Sequence, residues 1–450
     1  MKTRMQFARW AGGAALIVTT LTPGTLWAQG AGARSVQLAS FLREAEEKNP
    51  ELTAARKAAE AAAARVPQAG ALADPVVGVG VMNLPAADPG LRGDMMTMAT
   101  VGVWGTLPFP GKLALREDAA RFQAEASRWE LERVRQKVVA GVKAAYYEIY
   151  FLDRALDVTA RNQGLVTDFA RLTSARYGVG TGAQADVLKA QVERTRLEDQ
   201  LVDIREKRTS SSARLNSLLG RPTDTPVPAV EFPEGVRAAA LQGAPDRATF
   251  AYVALQPAAA PGRPTVADLQ RLALEHNPMI QAHLRRIEAQ KKAVALAGKA
   301  KLPDFDISVG YGQRVGLGDF VSAMVSVPVP IFAGRKQDQQ VAEEAASLAE
   351  MHALHDTMVN ELNAEIASLT AQLERTRAQL LLLDQGILPQ ARAALASATA
   401  AYRVGRVDFL SLLDSQVTLY RHELDNHRLL GDFASILAAL ERAVGKEILP

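Results

Sequence analysis

No cysteine occurs in this 450-residue chain. Disulfides, a thiol nucleophile and acylation at an N-terminal cysteine are therefore excluded. Aromatic residues are only 6%, while Ala, Leu, Arg, Glu and Gln fill long stretches, which suits long helices better than compact cores. Long apolar runs are missing too. The run from Ala11 to Leu21 falls short of the ~20 residues a spanning helix needs. With Lys2, Arg4 and Arg9 before it and Leu26-Trp27-Ala28 after it, it reads as a secretory signal peptide over 1–28. Charge of one sign is also lacking. Of 52 basic and 49 acidic residues, three basic ones lie in that segment, which leaves 49 against 49. The exported chain is near neutral and offers no field for nucleic acid. A Gly-rich phosphate loop, a nucleophile elbow and a compact His/Cys/carboxylate set are all absent from the sequence. The expectation is no enzyme, no cofactor and no metal site.

What is present is a duplication. Tyr177-Gly178-Val179-Gly180 recurs about 225 residues later as Tyr402-Arg403-Val404-Gly405, and each is followed eleven residues on by a glutamine, Gln191 or Gln416. Asn49-Pro50 recurs as Asn277-Pro278, and Pro108-Phe109-Pro110-Gly111-Lys112 recurs loosely as Pro328-Val329-Pro330 through Gly334-Arg335. A period of this length implies two similar units, here 29–220 and 265–450. The Pro/Ala-rich segment 221–264 cannot be one helix and reads as a connector lying across the helices midway along their length.

Each unit reads helix, strand, strand, very long helix, turn, helix. The opening helices are expected to break at Pro50 and Pro278. The long helices, near 112–176 and 336–401, would each span about 100 Å. A return helix with the following unit's opening helix, stacked end to end, would match that length. The strands alternate: Val77, Val79 and Val81 with glycines, Phe305, Ile307, Val309 and Tyr311 with Asp306, Ser308 and Gly310. Such alternation fits half-buried hairpins of a soluble domain and equally a barrel strand with one face to lipid. Four strands cannot close a barrel, and an open edge cannot face lipid. If these strands cross a membrane, several copies must share them.

Glycine at the ends of the long helices reverses the chain, which makes a helix–helix turn and could also present Val179, Gly180, Val404 and Gly405 to a partner. Asp186, Asp408, Asp414 and Arg406 lie just beyond. In a monomer these are solvated charges; in a ring of copies an aspartate becomes a ring of aspartates able to select cations. Gly164 and Pro389 hold equivalent places and read as kinks or as hinges. His352, His355, His422, His427 and Met95, Met96, Met98 are soft-ligand residue types, but none of these groups forms a complete ligand set.

Together these features resemble the TolC-like outer-membrane efflux family across the whole exported chain. The resemblance implies a mainly α fold with a small β part. Duplicated helix hairpins would form a trimeric α-barrel tunnel, capped by a 12-stranded outer-membrane β-barrel with four strands per protomer. It further implies an outer-membrane channel with a long periplasmic extension, which works as a homotrimer with a periplasmic adaptor protein and an inner-membrane resistance–nodulation–division pump. Under it, the Val-Gly tips dock the adaptor, Asp414 falls at a constricting acidic ring, and Ser411 stands where some members carry a second acid. The segment from Asp74-Pro75 to Asn83-Leu84-Pro85, with Met95-Met96-Thr97-Met98, resembles the heavy-metal branch, serving copper/silver or cobalt/zinc/cadmium export. Drug efflux and protein export are the other transport readings. A periplasmic coiled-coil scaffold or adaptor without a pore, its strands in a small internal sheet, is the rival of another class.

Overall fold

The computed structural model describes residues 36–86, 90–92, 94–241 and 264–448. The expected signal segment, and 242–263 of the connector, lie outside the described residues.

The first half opens with α1 (Val36–Lys48) and α2 (Pro50–Gly70), then β1 (Val76–Met82) and β2 (Met98–Leu107), then α3 (Lys112–Gly178) and the return helix α4 (Gln184–Leu218). A short helix, α5 (Glu234–Leu241), lies in the connector. The second half repeats the order: α6 (Val266–His276), α7 (Pro278–Gly298), β3 (Phe305–Gln313), β4 (Phe320–Ser326), α8 (Gln337–Leu381), α9 (Leu388–Arg403) and α10 (Phe409–Val444). At 67 residues, α3 is about 100 Å long. A π-helical turn, Leu382–Ile387, joins α8 to α9 just before Pro389. Proline there lacks the amide that would bond four residues back and crowds that carbonyl, so a wider turn accommodates it.

The two Asn-Pro dipeptides explain the stacking. Asn49 and Asn277 are buried. Each side-chain oxygen caps the helix that follows, accepting from Leu52 N (3.0 Å) and from Met279 N (2.9 Å). Each side-chain amide donates to the last turn of a return helix, Asn49 to Leu218 O (2.8 Å) and Asn277 to Ala443 O (2.7 Å). Proline follows each asparagine at the first helical position, where its missing amide costs nothing. Gly220 and Gly445, both in the left-handed conformation, let the return helix come close: a Cβ on Gly220 would sit 2.7 Å from Lys48 O, and one on Gly445 would overlap His276 O.

This corrects one expectation from the sequence. A return helix is continued by the opening helix of its own unit, α4 by α2 and α10 by α7, not by that of the next. The asparagine bridge and the glycine fit fix that choice. The layers across the protomer are then the α4/α2 stack, α3, the α10/α7 stack, and the α8–α9 run.

The core sits at the middle of α3. Tyr146, Ile149 and Val142 are fully buried there among Leu38, Leu215, Phe433 and the connector residues Val230, Phe232 and Val236. Arg208 ties this region together, donating to Asp153 (2.6 Å) and to Val227 O (3.0 Å), while Val230 N donates to the other Asp153 oxygen. The described part of the connector therefore lies against the helices at mid-length.

The strands form one antiparallel sheet in chain order, β1-β2-β3-β4. Val77 faces Val103, Val103 faces Val309, and Ile307 faces Val325, so the alternating apolar residues share one side. Gly78, Gly102, Trp104, Ser308 and Ser322 share the other. The apolar side is bare: Val79 is 83% exposed and Val321 77%. A soluble hairpin domain would bury these valines beneath a helix, and among the described residues no helix packs on them.

Candidate functional site: hairpin tips and an open sheet

Two parts of the molecule are built for something other than internal packing. One is the sheet, with its bare apolar side and its two unpaired edges, β1 and β4. The other is the pair of hairpin tips.

At the first tip α3 ends in a tight reversal. Gly180 is left-handed (φ 76°), Gly180 N donates to Tyr177 O (3.0 Å) and Thr181 N donates to Arg176 O (2.9 Å). The second tip copies it, with Gly405 at φ 73°, Gly405 N to Tyr402 O (3.1 Å) and Arg406 N to Ala401 O (2.9 Å). Glycine meets the left-handed requirement without strain. The reversal throws the preceding valine outward, leaving Val179 74% and Val404 69% exposed. Two apolar side chains are presented to solvent by equivalent turns, beside the exposed Tyr177, Leu188 and Leu410.

The predicted acidic residues separate into different roles. Asp408 caps α10, its oxygen accepting from Ser411 N (2.9 Å); the Ser411 hydroxyl, and then its amide, hold the carboxyl below the usual range. Asp414 and Ser411 are exposed, one helical turn apart on α10, and Arg406 is exposed beside the turn. Asp186 lies half-buried in the first turn of α4. The structure thus places Asp186, Arg406, Ser411 and Asp414 in the same end of the molecule without joining them in a direct ion pair. Gly164 sits inside unbroken α3 with open space where a Cβ would lie, whereas Pro389 follows the π turn.

Sequence reasoning missed the residue that joins the tips. Arg176 lies 4.8 Å from the centre of the Tyr402 ring, and its Nη1 donates to Tyr402 O (3.0 Å) at the end of α9. A guanidinium there meets both the ring face and the negative end of a helix. Burial pushes the Tyr402 phenol above its ordinary value, so the ring stays neutral. Beneath it Phe169, Ala190, Phe409 and Leu412 complete a core shared by both hairpins. Further along, buried Gln416 donates to Asn162, and the Thr159 and Tyr420 hydroxyls are 3.0 Å apart. Gln416 was visible as a repeat marker, yet its equivalent Gln191 is exposed. The signal for Arg176 was its absence from the second unit, where Ala401 stands.

The histidines are engaged in separate contacts. His283 and His355 stack 5.9 Å apart, and His427 Nδ1 meets the Tyr150 hydroxyl at 3.3 Å. Among the described residues no group of three or more His, Cys, Asp or Glu could hold an ion, and no helix is long and apolar enough to cross a membrane.

Comparisons with known proteins fit this geometry. Over 337 residues the chain is 24% identical to the cobalt-zinc-cadmium resistance protein CzcC of Cupriavidus metallidurans, covering 75% of this chain and 74% of that protein. The outer-membrane channel OprN superposes with a TM-score of 0.75 at 18% identity, covering 92% and 91% of the two chains. CusC, solved in work on transmembrane channel formation, superposes at 0.74 with 16% identity, covering 91% and 92%. OprN is an outer-membrane channel and CusC forms a transmembrane channel. The family model described as outer membrane efflux protein matches residues 41–221 and 269–446, and this chain, an outer-membrane protein, belongs to that family.

Proposed function

We propose that the chain is the outer-membrane duct of a tripartite efflux system, exporting heavy-metal cations as a homotrimer. The observation that carries this reading is the four-stranded sheet with a bare apolar side and two open edges. Backbone edges facing lipid would leave polar groups unpaired at several kcal/mol each. Three copies sharing twelve strands remove every edge and turn the valines toward lipid, with the glycine- and serine-rich side toward a lumen. The helices, each run about 100 Å long, continue the lumen into the periplasm. A scaffold without a pore would have no use for an uncovered valine face.

In this reading the exposed Val179-Gly180 and Val404-Gly405 turns dock a periplasmic adaptor, which links the duct to a resistance–nodulation–division pump. Asp414, Asp186 and Arg406 face the narrowing end, and Gly164 and Pro389 let the long helices bend as it widens. Metal cations are favoured as cargo by the likeness to CzcC. The duct itself needs no bound metal; it needs a lumen lined with carboxylates, which attract cations.

Two measurements test this. A deletion strain should become sensitive to divalent or monovalent heavy-metal ions while its drug sensitivity stays unchanged; the reverse pattern would assign drug efflux instead. In planar bilayers, Asp414→Ala and Arg406→Ala should each alter the conductance of the purified channel. Unchanged conductance in both would remove these residues from the gate.

A further inference from the structure

The duplication makes a prediction about a contact that one protomer cannot show. Inside the protomer, the turn that enters α3 clamps the start of β3. Lys112 is buried, and its Nζ donates to Asp304 Oδ1 (2.8 Å) and to Leu302 O (2.6 Å). Phe109 N donates to the same Asp304 oxygen (2.8 Å). One ammonium and one amide thus fix a carboxylate at the junction of sheet and helices. Burial pushes the Asp304 carboxyl up, but these donors outweigh it and hold it below the usual range.

Each participant has a counterpart in the other unit, and each counterpart is bare. The sequence Leu302-Pro303-Asp304 matches Leu72-Ala73-Asp74, and from there Ile307, Val309 and Gly310 match Val77, Val79 and Gly80. Pro108-Phe109-Pro110 matches Pro328-Val329-Pro330, and Gly111-Lys112 matches Gly334-Arg335. Asp74 and Arg335 are both exposed, and among the described residues neither side chain has an ion-pair partner. Val329, in the place of half-buried Phe109, is 74% exposed. Opposite charges of the same motif are therefore left unpaired on the two outer sides of the protomer, at the two unpaired strand edges.

We propose that the subunit seam at this junction repeats the seam inside the protomer: Arg335 pairs with Asp74 of the partner subunit and donates to the Leu72 carbonyl of the partner subunit, and β4 pairs antiparallel with the partner's β1. Carrying the β2–β3 register over by the same matches sets Val325 opposite Val77 of the partner subunit and Val321 opposite Val81 of the partner subunit. The parity supports this register independently. It brings valine to valine on the bare side and Ser322 opposite Gly80 of the partner subunit on the other, whereas a shift of one residue would reverse every side chain. Arginine suits the task, because its planar fork can bridge a carboxylate and a neighbouring carbonyl. The partner is a second copy of this chain, so the inference rests on the trimeric reading above.

The test uses the absence of cysteine from the chain. Facing residues of an antiparallel pair lie about 4.5–5.5 Å apart at Cα, within disulfide range. Full-length Val77→Cys/Val325→Cys, oxidised in outer-membrane vesicles, should run mostly as two- and three-chain species that reductant returns to one. Neither single variant should form a three-chain species, and Val77→Cys/Met324→Cys, one residue out of register, should not cross-link through the pair. Asp74→Arg and Arg335→Asp should each lower the melting temperature of the detergent-solubilised assembly, and the double charge swap should recover most of the loss. A trimer by light scattering that shows neither Val77–Val325 cross-linking nor charge-swap recovery overturns this seam and leaves the duct reading standing. A monomer by light scattering overturns both.

Discussion

The two ends of the protomer treat the duplication in opposite ways. At the sheet end, the residues that seal the contact inside the protomer, Lys112 and Asp304, have chemical equivalents in Arg335 and Asp74. At the tip end they do not. Arg176 locks onto Tyr402, but the position equivalent to Arg176 is Ala401. Tyr402 is 3% exposed, while its counterpart Tyr177 is 49% exposed and has no arginine over it. A ring assembled from such chains would have six similar seams at the membrane end. At the tips, three seams would be latched and three left without the latch. The difference teaches where each end can move. A lipid-facing barrel cannot open an edge, so its seams must all hold. Tips that part between subunits would need alternate seams to be weaker, and the second repeat lacks the arginine that latches the first.

The largest effect is expected where the comparison is broken at the sheet end. Lys112→Ala leaves Asp304 shielded but without its cation, and should destabilise the protein by about 2–4 kcal/mol, read as thermal unfolding in detergent. The pH dependence has a definite sign. The Asp304 carboxyl is held below its ordinary value, so its contribution is complete above the unfolded carboxylate range and fades as pH falls through the native value. The gap between wild type and Lys112→Ala should therefore be full at neutral pH and close in acid.

A somewhat smaller loss should follow at the stacks between the two ends. Gly445→Ala places a Cβ against His276 O in a left-handed backbone, at a cost of about 1–3 kcal/mol. Gly220→Ala should cost less, since its Cβ would lie 2.7 Å from Lys48 O, a wider clearance than Gly445 has from His276 O. Equal melting temperatures for the two variants would show that the stacks are equivalent despite their different clearances.

Much of this fold was legible because its signals are long or chemically forced. Sixty-seven residues without a breaker can be little else than one helix. The Asn-Pro pairs marked breaks in the opening helices, and in the structure each asparagine caps the helix that its proline begins. The strands showed themselves by strict alternation. What could not be read was which helix continues which. Lengths alone let α4 stack on either opening helix, and the choice rests on Asn49 reaching Leu218 O and on Gly220 nestling under Lys48. Those contacts join residues 169 apart in sequence. The tips were legible as turns through Gly180 and Gly405. The Arg176–Tyr402 contact was not, because it depends on the ends of two helices from different units meeting at the tips. Asp408 has a further part in space: it starts α10, accepting from Ser411 N.

At the tips, breaking the comparison should cost little stability and change behaviour more. Arg176→Ala removes one ring contact and one hydrogen bond to a helix end, worth about 1–2 kcal/mol together. The tips would then have no latched seam. In planar bilayers its open probability or conductance should rise above wild type, with unfolding temperature only slightly lowered. Arg176→Lys should restore little, since an ammonium cannot lie flat on the ring while donating to Tyr402 O.

The smallest expected effect sharpens the comparison instead of breaking it. Ala401→Arg installs in the second unit the residue that the first unit has. Ala401 is half-buried at the end of α9, where a basic side chain is favoured by the helix dipole, so the fold should tolerate it. If the tip seam between subunits repeats the one inside the protomer, its guanidinium would meet the exposed Tyr177 of the partner subunit. If unequal seams are what allow the tips to part, equalising them should lower conductance below wild type. Tyr177→Ala in the same chain should abolish that decrease, because the new arginine would have no ring to lie on. Wild-type conductance in Ala401→Arg, in a chain that still assembles, would mean that the tips do not part at that seam.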